Sequence, residues 1–302
     1  MVTAKDFEIR MENRSQPDAR VSSDTYSMLV GKARATVRLA GAYITDLTLV
    51  DLDGWPHQVL AGEKGDRVKL SASHGMSQKE YGDQHGRGRR VDYSIVSDTS
   101  ARQFARLNLR AKVPKDGLQI NRAFKLTHSD PNERKSGQFE IATSLKNNSQ
   151  QPVRQRLGEH LYFNLPHGKS AGLRIANGDG TDPLENPAVL QEAMAGNFQM
   201  WPSSGPLEVV FPEDDKHFLL AASVELRDAD GKELPTEPME MGWMLWHRPG
   251  LVVNEDDELL CIEPVFGYDK RGADVSDGGF ELPIGAIATL RTAISLRDAE
   301  AV

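Results

Sequence analysis

A single cysteine, Cys261, excludes any disulfide within the chain, and with it the small secreted scaffolds that disulfides hold together. No stretch approaches the ~20 consecutive apolar residues of a membrane helix. The opening residues, Met1 to Arg14, carry charges where a secretory signal would need an apolar run. Both absences lead to the expectation of a cytoplasmic protein with no membrane partner. Basic residues are in deficit, 36 Lys and Arg against 44 Asp and Glu, for a net charge of −8. A general nucleic-acid binder needs a basic surface to displace counterions, so no nucleic-acid partner is expected. Walker and Rossmann fingerprints and a Gly-x-Ser-x-Gly elbow are missing. So are zinc-type His-Glu-x-x-His and His-x-His arrangements, although the chain holds eight histidines. Repeats, low-complexity tracts and linkers are also lacking, so residues 1–302 read as a single domain. Residues 1–23 form a polar N-terminal arm or edge strand. Helical periodicity is almost absent, with one short candidate around Ala188 to Ala195.

In place of helices, the chain offers short runs of two-residue period. Leu107, Leu109, Ala111 and Val113 alternate with Asn108, Arg110 and Lys112. Phe139, Ile141, Thr143 and Leu145 alternate with Glu140, Ala142, Ser144 and Lys146, before a turn at Asn147-Asn148-Ser149. Leu290, Thr292, Ile294 and Leu296 repeat the pattern near the C-terminus, and Ile44 to Val50 ends at the hairpin dipeptide Asp53-Gly54. Many such runs between Gly, Pro, Asn and Asp turns imply an all-β protein. The expected architecture is a large antiparallel β-sandwich or barrel with very little helix.

Four stretches carry residues able to do chemistry. In GEHLYFNLP, Gly158 to Pro166, strand alternation sets His160, Tyr162 and Asn164 on one face. Glu159, Leu161, Phe163 and Leu165 take the other, which suits a strand between a core and a cleft. An imidazole in a cleft can carry a proton near neutral pH; a half-buried strand with a hydrogen-bonded histidine is the plainer reading. YGDQHGRGRR, Tyr81 to Arg90, sets His85 among glycines and arginines, either a phosphate site or a solvated loop. LLCIEPVFG, Leu259 to Gly267, holds Glu263 among apolar neighbours. Such a glutamate is a candidate general base, unless it serves a structural ion pair. Cys261 falls on the same strand face, two residues before it. FPEDDKHF, Phe211 to Phe218, offers Asp214, Asp215 and His217, most simply as an exposed acidic loop.

Taken in order, HGRGR (His85 to Arg89), HLYFNL (His160 to Leu165) and CIEP (Cys261 to Pro264) resemble the motifs of the galactose mutarotase (aldose 1-epimerase) family. They are most similar to the glucose-6-phosphate 1-epimerase-like branch. The resemblance runs from about Ala35 to Leu296 and includes a Leu-Pro-x-Gly turn at Leu282 to Gly285. Two departures stand out. Arg87-Gly88 replaces the Phe-Ala of the first motif, and DRVKLSASHGM replaces an upstream Gly-Gly-Ile-Pro stretch where relatives place a sugar-binding arginine. Arg67 lies in the replaced stretch.

The resemblance implies a mutarotase-like sandwich in which His85, His160 and Glu263 converge on one cleft. Glu263 would be the base, His160 the acid and His85 a partner of the ring oxygen. Arg87, Arg89, Tyr162 and Asp215 would contact the sugar, with no metal and no cofactor. The implied reaction interconverts the α and β anomers of a hexose or hexose phosphate. A non-catalytic sugar-binding module is one alternative, since fold does not fix function. A glycoside hydrolase using Glu159 and Glu263 is another, although alternation turns Glu159 away from His160.

Overall fold

The computed structural model describes residues 9–13, 24–60, 75–76, 88, 91–113, 117–129, 136–166, 174–177, 199–201, 205–211, 216–236, 240–252, 257–268 and 279–297. The helix expected around Ala188 to Ala195 lies outside them. The described strands, in chain order, are β1 (Ile9–Asn13), β2 (Asp24–Val30), β3 (Ala33–Arg38), β4 (Tyr43–Val50), β5 (Pro56–Leu60), β6 (Gly75–Met76) and β7 (Ser94–Ala101). Then come β8 (Phe104–Val113), β9 (Leu118–Thr127), β10 (Gln138–Asn147), β11 (Val153–Gln155), β12 (Leu157–Glu159), β13 (Leu161–Pro166) and β14 (Arg174–Asn177). The last are β15 (Gln199–Trp201), β16 (Leu207–Phe211), β17 (Lys216–Arg227), β18 (Glu240–Val252), β19 (Asp257–Tyr268), β20 (Phe280–Leu282) and β21 (Ile287–Arg297).

An eight-stranded sheet runs β14-β16-β17-β21-β10-β9-β8-β7. Here the two-residue period is realised: Leu107, Leu109, Phe139, Ile141, Leu290 and Ile294 are buried, while Asn108, Glu140 and Arg291 turn outward. An eleven-stranded sheet follows the path β1-β2-β3-β4-β5-β13-β19-β12-β6, with β18 beside β19 and β15 beside β18. A small pair, β11 with β20, completes the set. The protein is an antiparallel β-sandwich. The large sheets meet through a shared apolar core, in which Phe163 of β13 lies 6.3 Å from Phe218 of β17, ring centre to ring centre. Burying such faces is the main favourable term in folding.

The turn after β10 is held by one side chain. Asn147 is fully buried, and its amide nitrogen donates to the carbonyls of Gln151 and Leu282, both at 2.9 Å. Its amide oxygen accepts from Ser149 N at 2.9 Å and Ser149 Oγ at 2.7 Å. Two donors and two acceptor sites are all an asparagine amide has. The Leu282–Gly285 turn is thereby fastened to the start of the 148–151 segment, and Gly285 N donates to Asn147 O at 2.8 Å.

Candidate functional site

The site is laid out by strand register. Leu157 pairs with Phe266 and Gly158 with Val265 in β12, while Leu161 pairs with Ile262 and Tyr162 with Cys261 in β13. The two strands keep one register along β19. Between them the ladder lapses at Glu159 and His160, where Pro264 of β19 has no N–H to donate. The common register sets His160 opposite Glu263. Because side chains alternate, His160, Tyr162, Cys261 and Glu263 share one face as two neighbouring cross-strand pairs. Directly opposed side chains in such pairs sit within contact distance. On the other flank of Glu263, β18 contributes Met244.

The four polar groups touch. His160 Nε2 lies 2.9 Å from Glu263 Oε1. Cys261 Sγ lies 2.9 Å from His160 Nδ1, and its S–H donates to Glu263 Oε1 at 3.1 Å. The Tyr162 hydroxyl is 3.2 Å from His160 Nε2, with the two ring centres 4.4 Å apart. His160, Cys261 and Glu263 are each at most 2% exposed, and Tyr162 is 7% exposed. Burial, and then the Glu263 carboxylate, push the Cys261 thiol well above its ordinary value of 9.0, so it stays protonated and acts as a donor. One nitrogen, one sulfur and one carboxylate oxygen lie within 4.8 Å of one another, a donor set that could hold a soft divalent cation with a position left open.

Glu159 points the other way. It is fully buried and accepts hydrogen bonds from Arg122 Nη2 and Thr143 Oγ1 of the facing sheet. Of the remaining histidines, His57 pairs with Asp51 at 2.7 Å beside the β4–β5 turn, and His128 packs against Gly31. His85, Arg87, Arg89, Asp214 and Asp215 lie outside the described residues, as do Arg67, His74 and His167. From the first motif, Gly88 is described; it is buried, and its carbonyl accepts from the Tyr93 hydroxyl at 3.2 Å. Sequence reasoning did not single out Arg122, Thr143 or Met244. The first two were detectable as polar residues on the apolar phase of their strands: Ile120, Arg122 and Phe124 in β9, and Ile141, Thr143 and Leu145 in β10.

No family model matches the chain, and no curated protein matches it in sequence. Solved structures do match in three dimensions. A galactose mutarotase-like protein from Clostridium acetobutylicum superposes with a TM-score of 0.65 at 12% identity, covering 97% of this chain and 99% of its own. One from Lactobacillus casei gives 0.59 at 16% identity, covering 90% and 100%. The fold is that of the galactose mutarotase-like proteins. A galactose mutarotase-related enzyme from Lactobacillus acidophilus gives 0.60 at 12% identity, covering 91% and 98%. In this mutarotase-like sandwich the polar quartet sits on the eleven-stranded sheet, on the face turned away from the Arg122–Glu159 contact. Among the described residues no helix is long and apolar enough to cross a membrane.

Proposed function

We propose that the protein is an aldose 1-epimerase that interconverts the α and β anomers of a hexose. The observation that carries this reading is the direct contact between His160 and Glu263, 2.9 Å apart on one sheet face of a mutarotase-like fold. The anomeric hydroxyl and the ring oxygen of a sugar are bonded to the same carbon. An acid and a base that act on them must therefore both reach the surroundings of one carbon, and these two lie together on one sheet face. Glu263, as carboxylate, takes the anomeric hydroxyl's proton. The bond from the anomeric carbon to the ring oxygen breaks, its electron pair stays on the ring oxygen, and that oxygen takes the proton from the His160 imidazolium. The open-chain aldehyde turns about the bond to its second carbon. The ring hydroxyl then attacks the other face, returns its proton to His160, and Glu263 reprotonates the new anomeric oxygen. No net proton is consumed. Cys261 supports the base by donating to Glu263.

A glycoside hydrolase would need a second carboxyl beside the sugar. The nearest sequence candidate, Glu159, is engaged by Arg122 on the opposite face. We also propose an anionic sugar as substrate, because Arg87 and Arg89 fall two apart in a glycine-spaced stretch and guanidinium pairs bidentately with phosphate.

Anomeric-exchange NMR on glucose, galactose and their 6-phosphates tests the reading. Exchange above the buffer rate is expected for at least one sugar. His160→Gln and Glu263→Gln should each lower it by roughly 10²–10⁴-fold, the range for one acid–base partner. Since the two act as a unit, the double variant should be little slower than either single one. Sugar binding without exchange would make the protein a binding module.

A further inference from the structure

We propose that Arg122, Thr143 and Glu159 form a positioning network that fixes His160 from behind, across the interior of the sandwich. The inference rests on the epimerase reading for its kinetic consequences, but not for its structural ones. The guanidinium of Arg122 is wholly buried and its nitrogens are fully directed. Nε donates to Thr143 Oγ1 at 3.1 Å, Nη1 to Ala42 O at 2.6 Å, and Nη2 to Glu159 Oε2. The Thr143 hydroxyl in turn donates a hydrogen bond to Glu159 Oε1. The ring of contacts joins β9 and β10 of one sheet to the end of β12 in the other.

Three observations give the network a role beyond filling the core. First, Glu159 immediately precedes His160, and the two stand where the ladder to β19 lapses at Pro264. Pro264 withholds one backbone donor there, Gly75 of β6 pairs with Glu159 on its other edge, and the carboxylate adds a side-chain anchor to these backbone contacts. With Glu159 pinned inward, alternation turns His160 to the opposite face, toward Glu263. Second, a buried ion pair is a poor source of stability. Desolvation offsets its attraction, and apolar residues of similar volume often do as well or better. Burial pushes the Glu159 carboxyl above its ordinary range, against the opposing pull of Arg122 and then Thr143, so holding it as a carboxylate costs the folded state. What the guanidinium fork supplies is direction, since it accepts a carboxylate in few geometries.

Third, the network extends toward Gly88 of the first motif. Ala42, whose carbonyl Arg122 grips, holds a left-handed φ of 50°, unusual for a residue other than glycine. Its turn is tied to the 91–93 segment: Gly41 N donates to Val91 O at 2.9 Å and Tyr93 N to Leu39 O at 3.2 Å. Tyr93 in turn holds the carbonyl of Gly88 within the first motif. One buried guanidinium thus contacts both Glu159, beside His160, and the Ala42 turn, which is tied to Tyr93, the partner of Gly88.

The test replaces the whole network in the full chain with apolar residues of similar volume, Arg122→Met, Thr143→Val and Glu159→Leu together. Thermal melting, anomeric exchange and ring-¹⁵N NMR of His160, assigned by its loss in His160→Gln, are measured on the same samples. The expected result is a melting temperature equal to or above wild type, a kcat lower by roughly 10²-fold, the scale of a ~1 Å misplacement, and altered His160 ¹⁵N shifts. Full kcat with unchanged shifts overturns the proposal. If the triple variant does not melt cooperatively, the near-isosteric Glu159→Gln carries the test, with the same two readouts and the same overturning result. If wild type exchanges no sugar, the epimerase reading fails by itself. The ¹⁵N shifts then decide alone: altered shifts in a folded variant uphold the network, and unchanged shifts overturn it.

Discussion

Cys261 concentrates the chemistry of the site in one side chain. A thiol at 0% exposure, held protonated by burial and by Glu263, should be inert in the native protein. A disulfide-exchange reagent at pH 8 should label no thiol in buffer and one thiol per chain in guanidinium chloride. Labelling in buffer would place Cys261 in contact with solvent. The raised value also carries a sign. Above about pH 9 the unfolded thiol loses its proton while the folded one keeps it, so the unfolded state binds fewer protons and stability falls as pH rises. Urea titrations at pH 8 and pH 10.5 should show this loss in wild type and a smaller one in Cys261→Ala. The side-chain pairings among Cys261, His160 and Glu263 follow from alternation plus register; the resemblance had joined His160 to Glu263 and to His85, which lies outside the described residues, and alternation had set Cys261 only on the strand face of Glu263. Arg122 and Thr143 escaped because a polar residue on an apolar phase reads as noise until its partner, on another sheet, is known.

At the level of the strand, the alternating runs of β8, β10 and β21 could be read directly, since their inward faces carry almost nothing but apolar side chains. Pairing order could not. That β12 and β13 lie along the same flank of β19 is a long-range fact, and no local pattern encodes a partner about 100 residues away. The turn after β10 was legible as Asn-Asn-Ser, but its lock onto the Leu282–Gly285 turn was not. That lock depends on the donor half of one amide. Asn147→Asp keeps both acceptors for Ser149 and loses both donors, leaving a carboxylate facing the Gln151 and Leu282 carbonyls. It should destabilise the protein by roughly 1–3 kcal/mol, the range for an unsatisfied buried polar group. Urea unfolding measures this, and a loss below about 0.5 kcal/mol would mean that the two turns hold without the amide.

Over the whole molecule, a net charge of −8 sets the field that an anionic sugar must enter. An acidic protein that takes a phosphorylated substrate needs local cations to overcome that field, and the Tyr81 to Arg90 stretch holds three arginines within four residues, Arg87 to Arg90. Arg87→Ala and Arg89→Ala should raise KM for a hexose 6-phosphate, leave activity on neutral hexose nearly unchanged, and remove competitive inhibition by sulfate. Equal turnover of glucose and its 6-phosphate, with no effect of sulfate, would assign these arginines to the surface and the substrate to the neutral sugars. The register of β12 and β13 on β19 has a consequence of another kind, for the history of such a site. Inserting one residue just before Glu159, with the upstream register kept, would turn the imidazole into the sandwich interior and bring Glu159 out opposite Glu263, exchanging the His160–Glu263 contact for two like charges. Descent with a working site can therefore proceed by substitution at these positions, while changes of length are confined to the connections between strands. Homologues of this chain should be recognisable by an unvarying count of residues from Leu157 to Tyr162, however far their sequences have drifted.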